Sequence, residues 1–599
     1  MAPVSERRPS AADRFARFLS SAHLPVWVAL LGALLCSPAL FIGFHLDDLA
    51  HRHMLSDLPL GPELLQAYES PFGIANGEPA SIHWQIEQGF APWWTVPDLL
   101  VSLWRPISEW THRLDMLLWF DSAVAMHIHS LLWFVALLVA VAVLYRSVWG
   151  VGTVSGLAAL FYAIDHTHGF AVGWIANRNA IIAACFAVVA LCLFRRAEGR
   201  FWPLCGSAAV LACALFSGEG ALAITTYMAG YALLVVDWPL RRRLMSLLPA
   251  FAVVVVYRAA YQWMGRGAHG SGLYIDPARE PLQFLSAVVE RAPVLLLGAL
   301  GLPPAEAYMF LDGGTRTGLY VAACLLGLLF LVLIGPLLRV DREARGWAFG
   351  AALSLIPACS THPHNRLLFF VGLGLMALLS QLFHGYVQPD QSFVPAGAFR
   401  RWTTPLAASL VGFRLFVSPL LLPLMACSIV LTAPIGRGLQ RFVYRSDLAG
   451  QQLIVLHAQD YYQVKLLPSA YALAGRPMPR RIRALSFGTG PVVARRLGKR
   501  TLELEWPEGL LARPADELYR AADLPLGDGA EVVVPGMRVQ VVEERTDGRV
   551  LRARFEFDTD LDAPDMRWVR FAGQQWQDFR WSEVGDALRT ESSGSLVGL

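Results

Sequence analysis

The sequence predicts a mainly α fold, a polytopic transmembrane helical bundle of about 11 spans with a C-terminal β-rich domain outside the membrane. Three observations lead there. Of the 599 residues, 55% are apolar and only 16% are charged, against roughly a quarter charged in an average soluble domain. Mean hydropathy is +0.44. Long uncharged runs alternate with short Arg-rich segments up to about residue 435, after which the composition becomes that of a soluble domain. The net charge of +3 is too small to argue for nucleic acid as a partner.

The chain opens with a basic stretch, residues 1–24, carrying Arg7, Arg8, Arg14 and Arg17. It runs directly into an apolar segment and reads as a cytoplasmic N-terminus before an uncleaved first helix. A lipid-crossing helix needs about 20 apolar residues. Spans are expected at 25–44, 123–145, 151–166, 171–194, 201–217, 219–237, 244–264, 318–339, 345–360, 366–386 and 407–434. Positive charge on short loops marks the inner side. Arg146, Arg195, Arg196, Arg200, Arg241–Arg243, Arg339, Arg342, Arg345, Arg400 and Arg401 all fall inside only if the apolar stretch 284–302 does not cross. That stretch is therefore expected to be re-entrant or to lie on the outer surface.

The outer loop 45–122 is rich in Trp, and its segment 93–120 has an apolar face at helical spacing: Leu99, Leu103, Ile107, Trp110, Leu114, Leu117 and Leu118. One or two helices in the interface plane are expected. The tail, 440–590, contains strand-like segments, and Asp547-Gly548 marks a hairpin turn. A small soluble β-rich domain on the outer side is expected. All eight cysteines, Cys36, Cys185, Cys192, Cys205, Cys213, Cys324, Cys359 and Cys427, lie in apolar stretches and read as small hydrophobes. No phosphate-binding loop, nucleophile elbow or zinc-protease motif is present, which argues against an ATPase, dehydrogenase, serine hydrolase or zincin.

Polar residues that interrupt the apolar pattern gather on the outer turns. Asp47 and Asp48 follow the first span. Two adjacent carboxylates repel, which favours a base; the plainer reading is a helix cap or a solvated pair. Arg105, Arg178 and Arg366 stand on the side where the charge rule does not expect them, and a guanidinium fork suits a phosphate. Snorkelling toward the interface is the alternative. Glu219 could pair with an arginine, orient a substrate hydroxyl or simply face water. His166, His168, His362 and His364 mark outer turns with spacing too weak to name a metal site, and of His127 and His129 one reads as a bundle histidine.

At these positions the chain resembles the GT-C superfamily of integral membrane glycosyltransferases, above all the O-mannosyltransferases with extramembrane tetratricopeptide repeats and their bacterial relatives. The matching pieces, in order, are Phe44 with Asp47 and Asp48, Arg105-Pro106, His127, His168 leading to Trp174, Ile175 and Arg178, Gly218-Glu219, and Arg366. They span residues 25–435. Departures are Asp165, His166 and Phe170 where a His-Pro and a Glu are usual, Asn177 in place of Gly, Gly218 in place of Lys, and a tail without helical repeats.

The resemblance implies a polyprenyl-phosphate-sugar donor with its headgroup outside a bacterial inner membrane. The acceptor would be a hydroxyl on a protein or a lipid-linked glycan, and transfer would proceed with inversion. Asp47 or Asp48 would be the catalytic base. Arg105, His168, Arg178, Glu219 and Arg366 would bind substrate, the arginines stabilising the leaving phosphate. The sequence names no protein ligands for a metal and leaves the need for a divalent cation open. Two other readings compete: a non-catalytic envelope protein that binds a lipid-linked sugar or scaffolds a complex through its β domain, and a transporter, which the lack of internal repeats disfavours.

Overall fold

The computed structural model describes residues 10–311, 313–388, 393–445, 447–488, 490–511, 517–572, 575–581, 583–585 and 587–590. It is a helical bundle capped at one end by a β-rich layer. Among the described residues, eight helices are long and apolar enough to cross a membrane: Leu24–Phe41, Ala123–Trp149, Ile175–Arg196, Leu240–Trp263, Pro281–Leu300, Gly313–Val340, Phe369–Val387 and Ala398–Arg445. Shorter helices, Thr153–Ala163, Phe201–Leu215, Glu219–Val235 and Arg342–Ala358, pack between them. The outward faces are apolar. Val321, Leu325, Leu328, Leu329, Leu331 and Val332 on one helix are all exposed, an arrangement suited to lipid and costly in water. Small residues bring helices close: a Cβ on Gly173 would overlap the Ala426 carbonyl, as expected where packing alone holds membrane helices together.

Helix Pro281–Leu300 returns on its own side. Glu290 Oε1 accepts hydrogen bonds from Tyr308 Oη (2.9 Å) and Arg316 Nη2 (2.7 Å), and Tyr320 Oη donates to the Val289 carbonyl (3.2 Å). The chain beyond Leu300 has therefore come back to the level of Glu290 before helix Gly313–Val340 begins. The stretch 284–302 lies almost wholly in a helix that is itself long and apolar enough to span, and the segment after it runs back along it.

Among the described residues, thirteen strands form three sheets. Strands β1 (Ala75–Asn76), β2 (Leu100–Ser102) and β3 (Gly267–His269) join two loops between helices into a small antiparallel sheet. The tail supplies β4 (Gln452–His457), β5 (Arg481–Ala484), β6 (Val492–Arg496), β7 (Thr501–Glu505), β8 (Glu531–Val534), β9 (Met537–Glu544), β10 (Val550–Phe557), β11 (Met566–Ala572), β12 (Gln575–Phe579) and β13 (Ala587–Thr590). A six-stranded antiparallel sheet runs β13-β6-β7-β10-β9-β8, and a four-stranded sheet runs β12-β11-β4-β5. The β9–β10 hairpin turns at Asp547-Gly548, with Gly548 at φ +84°, a conformation glycine adopts without strain. In the second sheet β4 is parallel to both neighbours. Its connection to β5 is helical, through Tyr462–Lys465 and Leu467–Leu473, so the tail is mixed rather than purely β.

The tail does not form a core of its own. Buried residues of loop 45–122 and of the tail make one apolar cluster. Trp93 Nε1 donates to the Leu485 carbonyl, Val96 N to Tyr519 O, and Arg520 to Trp94 O. The segment 93–120 is helical only over Pro106–Trp119. There Trp110, Leu114, Leu117 and Leu118 are exposed, in keeping with an interfacial helix. Residues 93–105 are instead non-helical or in β2. Trp93 and Trp94 are completely buried, edge to face against each other, with Trp93 on Phe555. These two tryptophans serve the junction with the tail and not the lipid interface, because the prolines at 92 and 97 break the helix there.

Candidate active site

A cavity of about 1020 Å³ opens between the end of the bundle and the β-rich layer. Bundle residues Leu215, Leu222, Val254, Ile356 and Phe370 line it together with the polar Arg105, Glu219, Arg258 and Arg366, and the first outer loop, the last long helix and the tail add Asp47, Arg437, Arg441, Tyr462 and Lys465. Of the seven residues given a catalytic or substrate-binding role in the sequence, four line it: Asp47, Arg105, Glu219 and Arg366. Asp48, Arg178 and His168 do not, and each has a structural occupation.

The chain leaves its first helix and turns sharply at Leu46, which has φ +46°, a strained conformation for leucine costing on the order of 1–3 kcal/mol. Asp48 secures this turn. Its Oδ2 accepts from His45 N (2.9 Å) and its Oδ1 from Ala176 N (2.7 Å), tying the first helix exit to the turn before Arg178. Burial pushes the Asp48 carboxyl up to about 7, the two backbone N–H groups opposing the shift. Asp47 is one position earlier on helix Asp47–Met54. The rotation of roughly 100° per residue sends it into the cavity, 28% exposed, with Oδ1 3.9 Å from Lys465 Nζ. Below it, His51 is packed between Phe72 and His112, and burial draws its imidazole down to about 4, so it is neutral beside Asp47.

Arg105 precedes helix Pro106–Trp119, and its Nε donates to Glu219 Oε2 at 2.7 Å. Its guanidinium also lies 5.2 Å from the Phe72 ring centre. The pair is anchored on facing turns and part-exposed to the cavity. On the same wall Arg258 contacts both Asp276 oxygens at 2.7 and 3.0 Å. Arg366 differs: it stacks over Trp174 at 5.3 Å and has no ion-pair partner among the described residues. Its backbone N donates to His364 Nδ1. Arg437 and Arg441 project from the C-terminal part of the last long helix, one turn apart, and are exposed at the cavity without a carboxylate partner among the described residues.

Arg178 is completely buried and bound by Asp115 Oδ2 (2.5 Å), Ser130 Oγ (2.9 Å) and the Met126 carbonyl (2.8 Å). Asp115 Oδ1 also meets His129 Nδ1 at 2.6 Å. His127 Nε2 contacts the Gly43 carbonyl. His168 is stacked on Phe369 at 4.6 Å and packed against Tyr162. His362 and His364 line the cavity, and burial draws His362 down to about 3. No group of three or more His, Cys, Asp or Glu side chains among the described residues is arranged to hold a metal ion.

The residues that sequence reading missed come from the tail and the end of the last helix: Arg437, Arg441, Tyr462 and Lys465. A signal was present. Arg437 and Arg441 are i, i+4 on an amphipathic helix, and Lys465 is one of only two lysines in a chain with fifty basic residues.

No family model and no curated protein matches the chain. Among solved structures it is similar to the Archaeoglobus fulgidus oligosaccharyltransferase tethered with an acceptor peptide, at 10% identity over 77% of this chain and 64% of that one, TM-score 0.39. It is also similar to the oligosaccharyltransferase AglB from Archaeoglobus fulgidus in complex with an inhibitory peptide and a dolichol-phosphate, at 11% identity over 76% and 64%, TM-score 0.35. A third is ArnT from Cupriavidus metallidurans bound to undecaprenyl phosphate, at 12% identity over 78% and 90%, TM-score 0.35. The chain thus spans less than two thirds of the length of the archaeal structures and most of that of ArnT.

Proposed function

We propose that the chain is a membrane glycosyltransferase that moves a sugar from a polyprenyl-phosphate-linked donor to an acceptor hydroxyl, with inversion. One observation carries the reading. A carboxylate on residue 47 and guanidinium groups on residues 366, 437 and 441, without an ion-pair partner among the described residues, share one cavity, whose lining divides into charged groups and apolar bundle side chains such as Leu215, Val254 and Ile356. An amphiphile with a long apolar chain and an anionic head matches that division.

In this reading Asp47 takes the proton of the acceptor hydroxyl. The hydroxyl oxygen forms its bond to the anomeric carbon from the side opposite the phosphate, and the bond between that carbon and the phosphate oxygen breaks. The electron pair stays on the polyprenyl phosphate, whose growing negative charge is met by Arg366, Arg437 and Arg441. Arg105 and Glu219 form a fixed polar wall for the sugar hydroxyls. Asp48, Arg178 and His168 then shape the site without touching substrate. In this reading the chain makes eleven crossings, with helix Pro281–Leu300 re-entrant and the cavity and C-terminal region on the outer, periplasmic side of a bacterial inner membrane. The acceptor is a protein or lipid-linked glycan hydroxyl.

The test is sugar transfer by the purified protein in lipid nanodiscs, from a polyprenyl-phosphate hexose to a panel of peptide and glycolipid acceptors. Asp47→Asn should lower the rate about 10²–10⁴-fold, the range expected for a lost general base. Full activity in that variant removes the catalytic role of Asp47. Donor binding with no transfer in the wild type supports a non-catalytic binder instead.

A further inference from the structure

The C-terminal region places one side chain against the proposed base. Lys465 ends the short helix Tyr462–Lys465, which is started by Asp460, whose Oδ1 accepts from Tyr462 N at 2.7 Å. The helix is fastened to loop 45–122 by Tyr461 Oη, which donates to the Phe90 carbonyl. Lys465 is 5% exposed, and its Nζ lies 5.7–5.9 Å from the ring centres of Tyr68, Tyr461 and Tyr462. Its nearest carboxylate is Asp47, at 3.9 Å. A buried ammonium is costly unless it is paired or lies over aromatic faces, and this one has both supports. Arginine is the cation used nearly everywhere else in the sequence. A lysine here supplies a compact point charge in place of a wide fork that would occupy both carboxylate oxygens.

We propose that Lys465 is the positioning residue for Asp47: its ammonium faces the carboxylate and keeps it aimed into the cavity, which makes the C-terminal region part of the catalytic machinery and not a cover over it. The proposal rests on the transferase reading of the site. The contact leaves one Asp47 oxygen free for an acceptor hydroxyl, and a neighbouring cation favours the charged form of a carboxylate. Burial draws Lys465 below the usual lysine range while Asp47 opposes the shift. The other titratable groups around Asp47 are Asp48 and His51 on its own helix, Tyr68 on helix Gly61–Tyr68, Tyr462 beside Lys465, and Tyr519 in the segment after residue 517. On the packed turn Ile175–Asn177, the next charged side chain is Arg178, which acts on Asp48. Lys465 is the cation that contacts Asp47 directly.

The experiment follows carbodiimide labelling of Asp47, read by peptide mass spectrometry across pH, in the full-length protein in nanodiscs. Protonated carboxyls react, so the labelling midpoint reports ionisation. In Lys465→Met the midpoint should rise by about one pH unit, and the acid limb of the transfer profile should rise with it. Lys465→Arg should return both most of the way. An unmoved midpoint in a folded Lys465→Met protein overturns the proposal, even if the rate falls, because a merely structural lysine would lower the rate without moving the profile. Should Lys465→Met not fold, the reciprocal variant decides. Asp47→Asn should make the Lys465 amine more reactive to acetic anhydride at pH 8, and unchanged reactivity overturns the proposal. If the labelling midpoint moves but no variant, including wild type, transfers sugar, the transferase reading fails while the Lys465–Asp47 coupling stands.

Discussion

Inside the bundle, buried guanidinium groups meet carboxylates: Arg178 with Asp115 at 2.5 Å and Arg414 with Asp165 at 2.8 Å, all four side chains at 0–1% exposure. At the cavity rim, Arg366, Arg437 and Arg441 meet none among the described residues. The same residue type thus serves two purposes. A charge deep in a low-dielectric bundle must be paired or it is not tolerated, so its hydrogen-bonding capacity is spent on the fold. A charge at the wet rim can stay unpaired at little cost, and its fork remains free for an anionic ligand. Pairing, more than position in sequence, separates the arginines that build the site from those that can act in it.

Breaking the bundle pairs should give the largest effect. Asp115→Asn leaves Arg178 buried and uncompensated, and removing one partner of a buried pair costs about 3–5 kcal/mol. A clear fall in the thermal unfolding midpoint of the detergent-solubilised protein is expected. Arg178→Met, which removes the partner charge as well, should recover part of it when combined with Asp115→Asn. A double variant no more stable than Asp115→Asn would show that the network through Ser130, Met126 and His129, and not the charge pair, holds the helices.

The rim arginines should behave in the opposite way, with stability nearly unchanged and binding altered. Hydrogen bonds to charged groups are worth about 1.5–3 kcal/mol, so Arg366→Ala should weaken polyprenyl-phosphate binding by roughly 10–100-fold. Arg437→Ala, at an exposed position, should cost about 1 kcal/mol or less, and less again at high salt. Equal losses at 366 and 437 would place the phosphate nearer the end of the last helix than the bundle wall.

Much of this division was legible before any coordinates. The apolar runs match the helices, and the loop charges ask that 284–302 not cross; the chain that follows it comes back to Glu290 through Tyr308 and Arg316, while the helix itself is long and apolar enough to span. Interruptions of the apolar pattern led to Asp47, Arg105, Glu219 and Arg366, all four in the cavity wall. Adjacency could not separate Asp47 from Asp48, because their roles depend on where helix Asp47–Met54 begins, and a shift of one residue would exchange them. Arg178 looked like a rim residue because its partner, Asp115, lies 63 positions away on a helix read as interfacial. Lys465 was invisible for a similar reason. Its meaning comes from a contact more than four hundred residues distant, and the tail was read for strands alone. Trp93 and Trp94 belong to a Trp-rich outer loop, and tryptophan on such a loop favours the water–lipid boundary, whereas here a second buried surface, the tail, covers them.

The smallest expected effect concerns metal, and it follows from what surrounds Asp47. A hard divalent cation needs several oxygen ligands, commonly more than one carboxylate. Around Asp47 the second carboxylate, Asp48, turns both oxygens to backbone N–H groups, and Glu219 is engaged by Arg105. The neighbouring positive position is held by Lys465 at 3.9 Å, whose ammonium would repel an arriving dication. Transfer measured in excess EDTA, after dialysis, should therefore stay within about twofold of the untreated rate, since a shift of that size is under 0.5 kcal/mol. A loss of tenfold or more that Mg²⁺ or Mn²⁺ restores would mean that donor phosphate completes a metal site with Asp47. Lys465→Met would then be expected to tighten metal binding, because the competing charge would be gone.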